Sequence, residues 1–334
     1  MTNSFKILLS KSDYKRVYNF YNSIKKSSIN LTDHWSKRIN DNLNSFKFRD
    51  NEIFYFEVGN SGLSDNYKTL IDKNFKPRTN FKKMIKGKIM NYLKLKNGEA
   101  FNPKKSFLTS NYNSPANINF IINEFGSKQN DFIIYKSAYV FNEMNYYIDF
   151  DNPTNHKIIE IGSGTGCLAR IIKVLRKKSS ICLVDLNTSI IYSIVNLLKR
   201  FPNSKYILPN EIQHNTNLEI DNYDFIFLTP ELVNVIPESY FSLGINTMSF
   251  QEMSQNEIIK YFNLLRKILI KNNHFYCLNA VEKIMKYGSK KEYIRFSEYP
   301  WMHKDEDLVY RLSDVHKDMT TKPFFMKITK LSRD

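Results

Sequence analysis

A glycine-rich turn between a buried strand and a helix is the feature that most constrains how this chain folds. Residues 157–161 (KIIEI) form an apolar run of strand length, and Gly162, Gly164 and Gly166 follow at alternate positions. From residue 168 to 175 the apolar side chains recur at helical spacing. Glycines at such a junction permit a tight turn and let a ligand approach the backbone, next to N–H groups that the helix start leaves unpaired. The pattern predicts a strand–turn–helix unit with a ligand site at the turn.

The rest of the second half alternates short apolar runs with amphipathic stretches. Strands are predicted at 181–186, 223–228, 241–246 and 274–279, and helices at 187–200 and 255–270, with Asn187 and Ser254 as their N-caps. Runs that are apolar on both faces and alternate with helices indicate a parallel sheet covered on both sides. The predicted fold class is therefore α/β, with a doubly wound, mostly parallel sheet in a domain spanning 131–334. The tail after residue 287 is predicted to add the last strands and a cover over the site.

The first 130 residues have a different pattern. Their apolar residues recur at helical spacing with few strand-like runs, which predicts a helical N-terminal region that acts as a lid or contacts the substrate. A further helix, 132–148, is predicted to lead into the first strand of the sheet. Residues 76–105 hold ten Lys and Arg against one acidic residue, Glu99. Such a basic amphipathic segment is typical of a lid with a solvated lysine face, of a cleft for a phosphorylated substrate, or of peripheral contact with an anionic membrane.

The net charge is unevenly distributed. The 334 residues contain 49 Lys and Arg against 33 Asp and Glu, a formal net charge of +16. A basic surface attracts nucleic acid whatever its sequence. Residues 1–150, however, hold 24 basic and 13 acidic side chains, whereas residues 151–334 hold 25 and 20. Most of the excess of basic residues therefore lies before the glycine turn. This distribution favours an acidic or phosphate-bearing ligand that contacts the N-terminal region, and it makes a nucleic-acid partner less favoured.

Composition excludes several classes of protein. A hydrophobic content of 42% is that of a globular chain, and no apolar run has the length of a membrane span. The three cysteines, Cys167, Cys182 and Cys277, are too few for a disulfide scaffold and are predicted to lie in the core. These features predict a cytoplasmic protein, with homo-oligomerisation left open.

The spacing of the glycines separates two nucleotide-binding motifs. The dinucleotide fingerprint G-x-G-x-x-G needs a third glycine at position 167 or 169, where this chain has Cys167 and Ala169. An acidic residue followed by x-Gly-x-Gly-x-Gly, here residues 160–166, instead resembles the first motif of class I S-adenosylmethionine-dependent methyltransferases. The resemblance implies a Rossmann-like fold and S-adenosylmethionine as the cofactor. It also implies a set of cofactor-binding residues: Glu160 for the methionine end, Gly162, Ser163, Gly164 and Gly166 in the turn, and Asp185 with Leu186 at the ribose.

A second segment follows the strand predicted at 241–246. Residues 246–253 (NTMSFQEM) resemble the Asn-x-x-Ser-[Phe/Met]-Gln-Glu-Met signature of a bacterial sugar O-methyltransferase family. The resemblance covers about residues 130–330 and implies methyl transfer to a sugar hydroxyl in surface polysaccharide or glycoconjugate biosynthesis. A hydroxyl must lose a proton in this reaction, and the candidate general bases are Glu252, His303 and His316. Asn246 is predicted to position the substrate or cofactor, since an amide cannot act as a base. No metal site is predicted, because the spacing of metal ligands is absent.

Two other functions stay open at this point. An RNA methyltransferase is favoured by the charge and disfavoured by the lack of a recognisable RNA-binding module. A protein that binds the cofactor but has lost catalysis is the alternative from outside the enzymes. Amino-group methylation of DNA bases is disfavoured, because the Asp/Asn-Pro-Pro-aromatic motif of those enzymes is replaced after Asn246 by Thr-Met-Ser.

Overall fold

The computed structural model describes residues 4–26, 46–49, 52–56, 113–126, 132–150, 152, 156–212, 220–287, 290–313 and 323–333. Among the described residues up to 150, three short strands form an antiparallel sheet with the third strand in the middle, and the chain also forms three helices. The predicted helical N-terminal region therefore also contains strands, which the prediction did not include. These elements are β1 (Ser4–Leu8), α1 (Lys11–Lys26), β2 (Phe46–Arg49), β3 (Glu52–Phe56), α2 (Ile118–Phe125) and α3 (Phe132–Tyr147).

The second half forms a larger sheet of eight strands. Along the chain its elements are β4 (Lys157–Ile161), α4 (Cys167–Leu175), β5 (Ser180–Val184), α5 (Asn187–Arg200), β6 (Tyr206–Ile207), β7 (Phe225–Leu228), β8 (Phe241–Thr247), α6 (Gln255–Ile268), β9 (Leu269–Ala280), the hairpin β10 (Glu282–Tyr287) and β11 (Lys290–Arg295), β12 (Glu306–Leu312) and β13 (Phe324–Lys330). The hairpin leaves the carboxyl end of β9 and pairs only with itself within the described residues.

The strand order explains where a ligand site can form. The order is β6–β7–β5–β4–β8–β9–β13–β12, with parallel pairing from β6 to β9, and β13 runs antiparallel to both of its neighbours. After β4 the chain builds outward through β5, and it later returns to the other side of β4 with β8. Such a switch point opens a crevice at the carboxyl ends of the central strands. The predicted fold class is confirmed, and it fits the Rossmann-like class I methyltransferase fold that the resemblance implies.

Two apolar cores lie on the two faces of this sheet. In β4, Ile158 packs with α3, α4 and α5 in one core, whereas Ile159 and Ile161 pack with α6 in the other. Successive side chains of a strand point to opposite faces, so Glu160 shares the face of Ile158. The N-terminal elements extend the first of these cores, which includes Val17 and Phe20 of α1 and Ile53 of β3. Arg16 of α1 also donates two hydrogen bonds of 2.6 Å to Glu211.

The predicted element boundaries agree with the structure apart from a few residues at their ends. Ser254 is confirmed as the N-cap of α6, because its hydroxyl accepts a hydrogen bond from the N–H of Glu257 (3.3 Å). Asn187 is not an N-cap: Leu186 occupies that position, and Asn187 is the first residue of α5. The three cysteines are buried and free, as predicted. In the part of the chain that the structure describes, no helix has both the length and the apolarity needed to cross a bilayer.

Candidate active site

The glycine turn adopts a backbone that its glycines make possible. Gly162, Gly164 and Gly166 all lie in the left-handed region, with φ of 79°, 55° and 71°. The N–H of Gly162 donates to the carbonyl of Val184 (2.8 Å), which ties the turn to the end of β5. A Cβ on Gly162 would overlap with the side chain of Ser249, whereas a Cβ on Gly164 would meet no atom within 4 Å. The turn is therefore packed against protein at Gly162 and open at Gly164.

Helix α5 holds the turn from the side. The hydroxyl of Ser193 donates to the carbonyl of Gly164 (3.0 Å) and lies 3.1 Å from the hydroxyl of Ser163. The amide of Asn196 donates to the carbonyl of Thr165 (2.9 Å). Ser163 is therefore buried against α5 and only 6% exposed, so its side chain supports the turn on the side that faces α5.

Asp185 lies directly beyond the carboxyl end of β5 and faces the turn. Its carboxylate accepts hydrogen bonds from the N–H groups of Gly164 (2.6 Å) and Leu186 (2.7 Å). Burial raises the pKa of Asp185 to about 6, against the effect of these two N–H groups. A carboxylate has about four acceptor positions, so Asp185 retains positions for the hydroxyl groups of a ligand. Leu186 contributes its backbone N–H to this arrangement.

Glu160 lies in β4 just before the turn and is 2% exposed. Its Oε2 is buried and has no hydrogen-bond partner. Burial raises the pKa of Glu160 to about 8, while the charge of Lys136 on α3 acts in the opposite direction and that of Asp185 adds to the rise. A buried carboxyl oxygen without a donor is costly, so this oxygen is suited to a donor that a ligand supplies.

Asn246 is fully buried at the carboxyl end of β8. Its amide nitrogen donates to the carbonyl of Ile161 (2.9 Å) and to the hydroxyl of Ser249 (2.6 Å). Its amide oxygen accepts from the N–H of Phe250 (3.3 Å) and from the amide of Asn279 in β9 (2.8 Å). These four bonds occupy the side chain with protein groups. Asn246 therefore positions the turn that follows β8, and a direct contact with substrate or cofactor stays a prediction.

The same network explains the polar residues that follow Asn246. The side-chain oxygen of Gln251 accepts a hydrogen bond from the backbone N–H of Ala280 (2.7 Å). The backbone N–H of Gln251 donates to the side-chain oxygen of Asn279 (3.2 Å). Phe250 packs between the rings of Phe262 and Phe275 on the α6 side of the sheet. The signature segment thus ends β8 and continues into a short 3-10 turn, Phe250–Glu252, that hydrogen bonds hold against β9.

Glu252 ends this 3-10 turn and lies at the open edge of the sheet. Its carboxylate accepts a hydrogen bond from Lys283 of β10 (2.7 Å), and the side chain is 24% exposed. The charge of Glu252 also raises the pKa of Asp185 and acts in the same direction on Lys136, so the three groups lie within electrostatic range of one another. The candidate base and the candidate ribose ligand are therefore brought together.

Two other predicted site elements are not placed at this edge. His303 is exposed and lies just before β12. The first residue of β12, Glu306, pairs with Lys330 of β13. Lys330 pairs in turn with His274, in the first half of β9. His303 therefore lies at the amino edge of the sheet, opposite the glycine turn, and its prediction as a base is corrected. His316 and the basic segment 76–105 lie outside the described residues.

Several residues of the site did not emerge from the sequence. Lys136 comes from α3, and the side chains that support the turns come from α5 and β9. A single lysine within the apolar run 132–141 (FIIYKSAYVF) was the available signal for Lys136. The residues that support the turns are Ser193, Asn196 and Asn279. Their sequence gives no comparable signal, since polar residues on helices and strands are common on solvated surfaces. Within the described ranges, no group of three or more His, Cys, Asp or Glu side chains could hold a metal ion.

No family model and no curated protein matches the chain. Similar solved structures include a candidate sarcosine dimethylglycine methyltransferase from Galdieria sulphuraria, with a TM-score of 0.41 and 9% identity over 59% of this chain and 86% of that one. A SAM-dependent methyltransferase from Methanosarcina mazei is similar with a TM-score of 0.38 and 12% identity over 57% of this chain and 98% of that one. One from Aquifex aeolicus is similar with a TM-score of 0.36 and 10% identity over 57% of this chain and 89% of that one. The fold itself is assigned from the strand order.

Proposed function

We propose that the crevice binds S-adenosylmethionine and that the protein is a methyltransferase. The observation that carries the proposal is the convergence of the open glycine turn at Gly164, the Asp185 carboxylate and the unpartnered Glu160 oxygen at the switch point beside β4. A ribose supplies two hydroxyl donors for Asp185, and an ammonium group supplies donors for Glu160. The turn and the two carboxylates therefore fit an adenosine-containing cofactor with a cationic end.

The groups around the crevice suit S-adenosylmethionine. Three carboxyl groups lie there, those of Glu160, Asp185 and Glu252, together with the lysines Lys136 and Lys283. S-adenosylmethionine carries a sulfonium, an ammonium and a carboxylate, so it offers partners for groups of both signs. The replacement of the third fingerprint glycine by Cys167 or Ala169 agrees with this cofactor rather than a dinucleotide.

We expect Asp185→Ala to weaken the binding of S-adenosylmethionine by about 10- to 100-fold, because hydrogen bonds to a charged group contribute about 1.5–3 kcal/mol. Isothermal titration calorimetry measures this loss. Asp221→Ala is the matched control, since this exposed carboxylate pairs with Lys157 at the opposite edge of the sheet. Unchanged affinity in Asp185→Ala would remove Asp185 from the site. A wild-type protein that does not bind S-adenosylmethionine would refute the proposed function.

For the acceptor, we propose a sugar hydroxyl in surface polysaccharide or glycoconjugate biosynthesis. Support comes from the resemblance of residues 246–253 and from the position of Glu252 at the open edge. The cofactor supplies a methyl group activated by its sulfonium. The residues of the chain hold the reactants in line, and Glu252 takes the hydroxyl proton, a contribution of about 10²–10⁴-fold. Lys283 fixes the orientation of the Glu252 carboxylate.

We expect glycans from cells that lack the gene to be lighter by one methylene group per lost methyl ether. A wild-type copy should restore the methyl group, and Glu252→Gln should not, although it should bind S-adenosylmethionine with wild-type affinity. Mass spectrometry of surface glycans and calorimetry provide the two measurements. Restoration by Glu252→Gln would exclude Glu252 as the base. Identical glycans with and without the gene would exclude a surface sugar as the acceptor.

A further inference from the structure

Lys136 lies on the stripe of α3 that faces the large sheet. Tyr139, Val140 and Glu143, three, four and seven positions further along, are each no more than 1% exposed. Glu143 accepts a hydrogen bond from the hydroxyl of Tyr276 in β9 (2.6 Å), which fixes this stripe against the sheet. Residues at these spacings share one side of a helix. Lys136, itself partly buried, therefore extends toward the sheet.

Glu160 and Lys136 both lie between α3 and the sheet. Glu160 shares the face of β4 on which Ile158 packs with α3, so both side chains lie on the same side of the sheet. Burial lowers the pKa of Lys136, and the charges of Glu160, Cys167 and Glu252 act in the opposite direction. These are the titratable groups that surround the ammonium, and Glu160 has the largest influence among them.

The two groups are close enough to interact but do not pair. Among the described residues, Lys136 makes no hydrogen bond or ion pair, and Glu160 Oε2 has no donor. A buried or partly buried polar group without a hydrogen-bond partner is unfavourable, whether it is neutral or charged. A ligand with an anionic and a cationic group on neighbouring atoms would supply a partner to each at once.

The α-amino acid end of S-adenosylmethionine has this chemistry. We propose, building on the proposed function, that Lys136 binds the α-carboxylate of the cofactor while Glu160 binds its α-ammonium. Lys136 thereby becomes a cofactor-binding residue contributed by the helix that precedes the glycine turn. The anionic group of an acceptor is the competing ligand for Lys136, and a cofactor analogue that lacks the carboxylate distinguishes the two.

The test compares three ligands by calorimetry: S-adenosylmethionine, its decarboxylated form, and 5′-methylthioadenosine, which lacks the amino and carboxyl groups. The wild type should bind S-adenosylmethionine about 10- to 100-fold more tightly than the decarboxylated form. Lys136→Met should lose that preference by weakening S-adenosylmethionine alone, and Lys136→Arg should keep most of it. Glu160→Gln should weaken both amine-containing ligands and leave 5′-methylthioadenosine unchanged. Lys267→Met, at an exposed lysine in the last turn of α6, is the matched control.

Equal binding of S-adenosylmethionine and its decarboxylated form by the wild type would overturn the assignment without any variant, so the test survives a Lys136→Met protein that does not fold. Equal losses for both ligands in Lys136→Met would also overturn it, because they would indicate a general effect on the site. If the wild type binds none of the three ligands, the proposed function fails, and the assignment fails with it.

Discussion

Gly162→Ala is expected to destabilise the protein by about 3–5 kcal/mol and to abolish cofactor binding. Gly162 has a φ of 79°, a conformation that costs an L-residue about 1–2 kcal/mol. The added Cβ would also overlap with both Cβ and Oγ of Ser249, so rotation of the serine side chain cannot relieve the contact. The segment after β8 would have to move, and with it the hydrogen bond from Ser249 to the carbonyl of Ile161 (3.2 Å). Urea denaturation gives the loss of stability.

Gly164→Ala provides the comparison, because it makes the same change in the same turn. Its φ is 55°, but no atom lies within 4 Å of the added Cβ. We expect a loss of about 1–2 kcal/mol in stability together with weak cofactor binding, since the methyl group would project into the open side of the turn.

A Ser249→Gly background tests the cause of the Gly162→Ala loss. There the atom of residue 249 nearest to the added Cβ is the Cα, at 3.8 Å, so Gly162→Ala should cost less stability than in the wild type. Equal costs in the two backgrounds would show that the overlap is not the cause.

Asn246→Ala is expected to destabilise the protein by about 3–5 kcal/mol, although it changes no apolar core residue. The substitution leaves the carbonyl of Ile161, the N–H of Phe250 and the amide of Asn279 without the partners that Asn246 provides. These groups connect β4, β8 and β9 at the edge where the ligand binds. Denaturation in urea measures the effect, and calorimetry measures how much cofactor affinity remains in the folded fraction.

Asn256→Ala is the matched control for this substitution, since Asn256 is exposed on α6. It should change the free energy of unfolding by less than about 0.5 kcal/mol. Wild-type stability of Asn246→Ala combined with a large loss of cofactor affinity would contradict the positioning role. That result would instead support a direct contact between the Asn246 amide and a ligand.

The fold could be predicted from the sequence because its signals are local. Three of the five residues of β4 are isoleucines, the other two are Lys157 and Glu160, and the glycines follow immediately. Alternation of such runs with amphipathic helices indicates a parallel sheet before any contact is known. The same order places Asp185 after the second strand, beside the turn.

Prediction failed where side chains act over long distances in the sequence or where elements are short. Lys136 and Glu160 are brought together by the packing of α3 on the sheet, and no local pattern contains that information. His303 belongs to the tail that was predicted to cover the site, but the antiparallel pairing of β12 and β13 places it at the opposite edge. The three-stranded N-terminal sheet was missed although residues 46–49 (FKFR) alternate, because strands of four or five residues were outweighed by the helical spacing elsewhere in the region.

The sequence by itself determined the doubly wound fold, the position of the glycine turn and the acidic residues beside it, because strand period, helix period and glycine spacing are properties of neighbouring residues. Only the tertiary structure decided the roles of those residues. It assigned Asn246 to the support of a turn and left Glu160 Oε2 without a partner. It also brought Lys136 of α3 to the side of the sheet on which that carboxyl group lies. These roles depend on burial and on partners from distant segments, and neither quantity exists until the helices pack against the sheet.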